Sequence, residues 1–371
     1  MKFSILQQDF FPSLSSVARS IGVRSTLPVL GNILISAEKG KLKLSATNLE
    51  IGVVKKISAE IIEEGEVTVP AKTLVEMVGN LTGEKLEFSS DGQNIEISTP
   101  TFSSTLNGIS ASEFPSIPLS GKEAVIIETE VLVKSLPKVT FAAAADDSRP
   151  ILTGILLEIK GKKLQLVATD GYRLAHKLVP TGESALFRAL VPRRTLEEVI
   201  RLILEEKNIL GGEPDGVKIA TSDDGNQMVF SFGTTQVSTR LIDGQFPAWE
   251  KIIPENFKAR VIVDREEFLK AVKLASVLAR SEANVVKLQN KKDKLILSSE
   301  AKELGSQKKE IEASAEGEEL EIAFNTKFLQ DVLTAATSGQ VSIELSGNLS
   351  AAMFKPVGEE DLSYIIMPVN L

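Results

Sequence analysis

The residues that could do chemistry in this 371-residue chain are few, and most types are missing. There is no cysteine, which excludes disulfides, thiolate metal sites and a cysteine nucleophile. There is a single histidine, His176, with no serine or acid partner evident nearby in the sequence. Asp146 and Asp147, with Asp170, could be imagined as a carboxylate metal site. They read more simply as two turns, Asp146-Asp147-Ser148 and Asp170-Gly171. No glycine-rich phosphate loop and no Gly-x-Ser-x-Gly elbow occurs. Expected, therefore, is a protein with no catalytic residue, no metal and no cofactor.

Basic residues recur where physics disfavours them. Lys72, Arg194 (beside Arg193) and Lys327 each fall at the start of a predicted helix. A cation at the positive end of a helix dipole costs about 0.3–1 kcal/mol. A local rule broken at three equivalent places points to an anion, and phosphate near helix N-termini is the natural one. Further lysines and arginines lie on other predicted helices (Arg19, Lys134, Lys138, Lys270, Lys273, Arg280), although the net charge is -8. That balance excludes a uniformly basic nucleic-acid binder but not a local basic face. Aromatic residues are only 5%, so base stacking is not the expected mode of binding.

The elements that place these residues come as a repeat. Leu42-Lys43-Leu44-Ser45-Ala46-Thr47-Asn48 returns as Leu164-Gln165-Leu166-Val167-Ala168-Thr169-Asp170. The same spacing carries Pro28 to Pro150, Leu30 to Leu152 and Val69-Pro70 to Val191-Pro192. A weaker third copy aligns Phe324-Asn325-Thr326-Lys327 with Val69-Pro70-Ala71-Lys72. Each copy opens with a short strand, at Lys2–Leu6, Ala124–Glu128 and Ala259–Asp264. An amphipathic helix follows, clearest at Phe268, Leu269, Val272, Leu274, Ala275 and Leu278, with Asp264 as N-cap and Glu267 three residues on. Apolar strands then turn at Gly40, Gly161 and Asn290, and a second helix and closing strands complete the copy. The expected class is α+β: three units, 1–121, 122–250 and 251–371, each with two helices packed on antiparallel sheets. Neither a signal peptide nor a membrane-spanning run is legible, so a cytoplasmic protein without a membrane partner is expected.

Four segments carry a resemblance along the whole chain: Arg24 to Asn32, Ala168 to Leu174, Leu241 to Pro247, and Met367-Pro368-Val369-Asn370-Leu371. In this order and spacing the chain resembles the bacterial DNA polymerase III beta subunit, the sliding clamp. The resemblance implies three DNA-clamp domains per chain and a head-to-tail homodimer forming a six-domain ring around duplex DNA. It implies a non-catalytic subunit that tethers the replicative polymerase by topology, without reading sequence. The implied partners are the polymerase III alpha subunit, the clamp loader, other DNA polymerases and repair proteins. Family DNA contacts carry over to Arg24, Lys72 and Arg149; Arg194 and Lys327 join them by repeat equivalence. A family pocket for partner peptides carries over to Leu152, Thr169, Gly171, Tyr172, Leu174, Pro247, Ile252, Ile365, Met367 and Val369. Copy three has Glu300-Ala301-Lys302-Glu303 in place of the Ala-Thr-Asp turn and should lack such a pocket. The subunit interface is expected along an edge near Thr101–Leu106 on one side, and around Lys270–Leu274 or Glu300–Glu303 on the other. The competing readings are a peptide-binding scaffold that never encircles DNA, and a carboxylate-dependent hydrolase.

Overall fold

A computed structural model describes residues 1–21, 27–38, 40–119, 121–222, 224–281 and 283–370. Its helices are α1 (Gln7–Ala18), α2 (Ala71–Gly79), α3 (Thr129–Ser135), α4 (Pro137–Thr140), α5 (Arg193–Leu210), α6 (Arg265–Ala279) and α7 (Thr326–Ala335). The repeat is legible in this order. α1, then α3 with α4, then α6 each follow an opening strand, and α2, α5 and α7 are the second helices. In the middle copy the first helix is split, with Pro137 opening the second piece.

Two compact units form, and they do not coincide with the repeats. One comprises Met1–Val133 with Arg194–Leu241; the other comprises Lys134–Arg193 with Ile242–Leu371. The middle repeat is thus shared between them, and strand pairing is the reason. In the first unit an eight-stranded antiparallel sheet runs Lys122–Ile127, Val217–Thr221, Gln227–Phe232, Thr235–Arg240, Ile51–Ser58, Lys41–Thr47, Asn32–Glu38, Gly65–Pro70. Its joint is the pairing of Thr235–Thr239, from the second repeat, with Ile51–Lys55 of the first. A separate five-stranded sheet runs Glu60–Glu63, Lys2–Leu6, Lys85–Asp91, Asn94–Thr99, Phe102–Asn107. Phe3 stacks on Phe88 with centroids 4.6 Å apart, and Phe10 of α1 meets Phe88 edge-on.

The second unit holds a ten-stranded sheet. Its order is Gly154–Thr169, Arg173–Pro192, Leu362–Ile366, Ala352–Pro356, Gln340–Leu345, Ala259–Asp264, Gly305–Gly317, Lys294–Ala301, Val285–Lys291, Glu321–Asn325. Here Arg173–Lys177 of the second repeat pairs with Leu362–Ile366 of the third. α6 buries Phe268, Ala271, Val272, Ala275 and Ala279 on one stripe. Asp264 caps it as expected, accepting from the Glu267 amide at 2.8 Å.

One expected turn is corrected and another is kept. Gly161 takes the left-handed conformation (φ 66°) that Gly40 takes (φ 76°) at the equivalent turn of the first repeat, and the segments on its two sides pair with different parts of Arg173–Pro192, 154–161 with 185–192 and 163–169 with 174–180. Asn290 lies buried within the strand Val285–Lys291, its amide bonded to Glu318 O and its carbonyl to the Leu320 amide. The turn follows two residues later, so a turn-forming residue type served a buried polar bridge instead.

One buried charge pair ties α5 to the sheet joint of the first unit. Lys55 Nζ donates to Glu206 Oε2, and both side chains are essentially unexposed. Burial alone would raise the Glu206 carboxyl. Hydrogen bonds from Lys55 and Thr234 outweigh it and hold the group below its ordinary value. Thr234 donates twice to Oε1 and Thr235 once to Oε2. Gly233 is required beside them: φ is 51°, and a Cβ there would come 2.6 Å from Glu206 Oε1. Replacing Lys55 by Met leaves a buried carboxylate unpaired and should lower the unfolding free energy by about 3–5 kcal/mol in urea titrations. Adding Glu206→Leu should restore most of that loss. Because the folded carboxyl is held low, the pair's contribution is complete above the ordinary value of 4.5 and fades as pH falls through the folded value.

Candidate functional site

In the second unit, a Thr-Asp-Gly-Tyr turn projects from the junction between the two longest strands. Thr169 Oγ1 donates to Arg173 O at 2.6 Å and accepts from the Gly171 amide at 3.1 Å. Asp170 Oδ1 accepts from the amides of Tyr172 and Arg173 at 2.9 and 3.0 Å. Gly171 has φ 90°, which a side chain adopts only with strain. The loop is therefore fixed by side-chain to backbone bonds of the kind a Thr or Ser hydroxyl and an Asp or Asn oxygen make.

Beneath this turn lies a buried apolar cluster of Leu156, Val167, Leu174, Leu190, Phe246, Trp249, Met353 and Ile365, flanked by Ile151, Ile242, Ile253 and Ala351. Around it, Tyr172 is 59% exposed, Met367 40% and Ile252 38%. The Met367 amide donates to Tyr172 O at 2.8 Å, which joins the C-terminal segment to the turn. The exposed side chains offer apolar surface beside a rigid floor. Of the ten sequence-nominated pocket residues, Leu174 and Ile365 belong to the buried cluster, and Thr169, Gly171 and Tyr172 form the turn. Leu152 is buried on the short helix Pro150–Thr153, and exposed Pro247 accepts from the Trp249 amide. Val369 stands apart: its amide bonds Ala323 O, and it lines a different cleft with Val285, Lys287 and Ser299.

The nominated cations divide. Lys72, Arg194 and Lys327 are each the second residue of α2, α5 and α7, and each is exposed. Asn325 caps α7 by accepting from the Lys327 amide at 2.9 Å. Arg24 lies outside the described residues. Arg149 does not resemble the helix cations in what it touches. Its Nη2 donates to Asp170 O at 2.9 Å, and its guanidinium lies over the Tyr172 ring, 5.9 Å from the centroid.

The remaining titratable candidates are engaged structurally. Asp146 Oδ1 accepts from the Ser148 amide and hydroxyl, and the hydroxyl bond is first among the causes holding this carboxyl below its ordinary value. Burial pushes the His176 imidazole down, against the opposing pull of Glu250, and the ring packs 4.6 Å from Trp249. Among the described residues no group of three His, Asp or Glu side chains is arranged to hold a metal ion. No helix among them is long and apolar enough to cross a membrane.

Family models for the N-terminal, central and C-terminal domains of the DNA polymerase III beta subunit match residues 1–118, 126–248 and 250–370. The chain belongs to the DNA polymerase III beta subunit family. It is 33% identical to the beta sliding clamp of Synechococcus elongatus over 384 residues, covering 100% of both chains. It is similar to the solved DNA polymerase III subunit beta of Pseudomonas aeruginosa, at 28% identity and a TM-score of 0.93 over 100% of each chain. The solved sliding clamp of Bacillus subtilis matches at 27% identity with a TM-score of 0.92, covering 100% of this chain and 99% of that one. The threefold repeat is accordingly three clamp domains built on antiparallel sheets, those of a DNA-replication family.

Sequence reasoning missed several residues of the site. Phe246, Trp249 and Met353 supply much of the floor, and Phe328 of α7 stacks on Tyr172 with centroids 6.3 Å apart. Nothing in the spacing of Phe246, Trp249, Phe328 or Met353 says which side chain each would face. Gly171→Ala combines a left-handed backbone with a Cβ 2.9 Å from Arg149 Nη1. It should cost about 1–2 kcal/mol in thermal or urea unfolding, with Arg149 displaced from the turn.

Proposed function

We propose that this chain is one subunit of a head-to-tail homodimeric ring that encircles duplex DNA and tethers a replicative polymerase, with no catalysis of its own. The observation that carries the reading is a pair of strand edges without a neighbour among the described residues. Two inter-repeat joints are made within the chain, by Ile51–Lys55 with Thr235–Thr239 and by Arg173–Lys177 with Leu362–Ile366. The equivalent strand of the third repeat begins Gly305–Glu312, which pairs with Lys294–Ala301 along one side only. Phe102–Asn107 of the first repeat likewise ends its sheet. A second copy supplies what each lacks, so the same joint is made between chains. This supports an interface along Phe102–Asn107 on one side and Gly305–Glu312, beside the expected Glu300–Glu303, on the other. Exposed Leu274, Val277 and Leu304, at 52%, 60% and 66%, give it an apolar margin.

Within such a ring, Arg24, Lys72, Arg194 and Lys327 are the proposed DNA contacts. They meet phosphate without reading bases, and weak, salt-screened contacts suit a tether that must slide. The surface around Tyr172, Leu174, Ile365 and Met367, with Leu152, Thr169, Gly171, Pro247 and Ile252, is the proposed peptide pocket. Arg149 stands at its rim and Val369 beyond it. A peptide with aliphatic and aromatic anchors fits an apolar floor of this kind. The proposed users are the polymerase III alpha subunit, the clamp loader, other polymerases and repair proteins, acting in the cytoplasm without a membrane partner.

Light scattering over a dilution series tests the ring. The expected mass is twice the 40.1 kDa chain, persisting below micromolar concentration. Leu274→Glu with Val277→Glu should return the single-chain mass. A monomer at every concentration of the unaltered chain would leave a peptide-binding scaffold in its place. Met367→Ala with Leu174→Ala should abolish binding of a polymerase-derived peptide and keep the dimer. Lys72→Glu with Arg194→Glu should lower retention on DNA and leave both mass and peptide affinity unchanged.

A further inference from the structure

The first repeat contains the same backbone turn as the candidate pocket but with different side chains on it. Thr47 Oγ1 donates to Ile51 O at 2.9 Å and accepts from the Leu49 amide at 3.0 Å. Asn48 Oδ1 accepts from the amides of Glu50 and Ile51 at 3.0 and 2.7 Å. These are the four bonds made by Thr169 and Asp170, and Leu49 at φ 74° stands where Gly171 has 90°. The backbone turn therefore does not distinguish the two copies. What differs is the side chains: Asn48, Leu49, Glu50 and Ile51 give way to Asp170, Gly171, Tyr172 and Arg173, and Arg173 is the one whose bonds reach from the turn to other elements.

We propose that Arg173 is a positioning residue, which converts this shared turn into a fixed wall of the partner pocket; the proposal rests on the pocket reading above. Arg173 is only 8% exposed. Its Nε donates to Asp170 Oδ2 at 3.0 Å, the oxygen that the turn itself leaves unused. An amide at that position would offer the guanidinium no second acceptor, which is why the second copy needs an aspartate where the first has Asn48. Nη1 reaches Asp331 on α7, and Nη2 donates to Phe141 O at 2.8 Å. The guanidinium lies between two rings, 5.2 Å from the centroid of Phe141 and 4.8 Å from that of Phe328. Phe328 in turn stacks on Tyr172 at an interplanar angle of 19°.

One planar cation thus joins the turn to the end of α4 and to α7. Tyr172 is held from both directions, by its ring on Phe328 and by its carbonyl on the Met367 amide. Segments far apart in sequence are fixed before any peptide arrives, which spares binding the cost of ordering them. A lysine carries the charge but not the fork, so it cannot meet two carboxylates and a carbonyl in one plane.

The test compares Arg173→Gln, Arg173→Lys and Asp331→Asn with the unaltered full-length chain. The probe is a short synthetic peptide with leucine and phenylalanine anchors, titrated by calorimetry. Amide exchange at Met367 and emission from Trp249, the only tryptophan, are read without peptide. Arg173→Gln should weaken the peptide by at least about tenfold. Met367 exchange should accelerate and the Trp249 emission should change; the unfolding midpoint should fall with the lost ion pairs, while amides in strands away from the turn keep their protection. Arg173→Lys should recover only part of the affinity, and Asp331→Asn should move every reading in the same direction as Arg173→Gln. Unchanged Met367 exchange and peptide affinity in Arg173→Gln would overturn the proposal. So would a general loss of protection in Asp331→Asn, which serves if Arg173→Gln fails to fold, because that is ordinary core support. If Met367→Ala with Leu174→Ala leaves peptide affinity intact, the pocket reading fails. The exchange at Met367 still decides whether Arg173 fixes the turn.

Discussion

Every repeat of this chain ends in a strand edge that only another repeat can pair. A row of unpaired amides and carbonyls cannot be left against apolar surface, so the edges must be joined or exposed to water. Two of the three joints are made inside the chain, in the same register, Ile51 opposite Thr239 and Arg173 opposite Ile366. Each joint fuses part of one repeat to part of the next. The compact units consequently cut through the middle repeat.

The same joints place the chemistry. Arg173 is both the first residue of one paired strand and the cation that fixes the turn before it. Lys55 lies in the equivalent strand of the first repeat, where its charge is buried against Glu206 of α5. Both joints therefore carry an internal cation, but with different results. Lys55 is spent on holding a helix, whereas Arg173 faces a turn beside exposed apolar side chains. A single scaffold, repeated, has been used once for packing and once for a surface.

The cations on the second helices follow a separate logic. Lys72, Arg194 and Lys327 keep their exposure and their place at a helix start in all three domains. Their recurrence is a property of the repeat rather than of any one fold contact, and it was readable from spacing alone. Arg149 was not readable in this way. It sits on a loop, and only the structure puts its guanidinium over Tyr172.

By itself the sequence determined the threefold repeat, the helix starts after Val69-Pro70, Val191-Pro192 and Phe324-Asn325, and the absence of cysteine chemistry. It also determined the capping of α6 by Asp264 and the alternating strands. These are local: periodicity, caps and residue types act within a few positions of one another. The tertiary structure alone decided that Asn290 bridges two backbone groups inside a strand. It alone decided that Phe328 and Arg173 meet beside one turn, that Trp249 joins the apolar cluster with Leu174, and that Val369 lines a cleft with Val285, Lys287 and Ser299. Those outcomes depend on which edges pair across more than a hundred residues. Pairing is carried by backbone groups that every residue possesses, and so it leaves little trace in the order of the side chains.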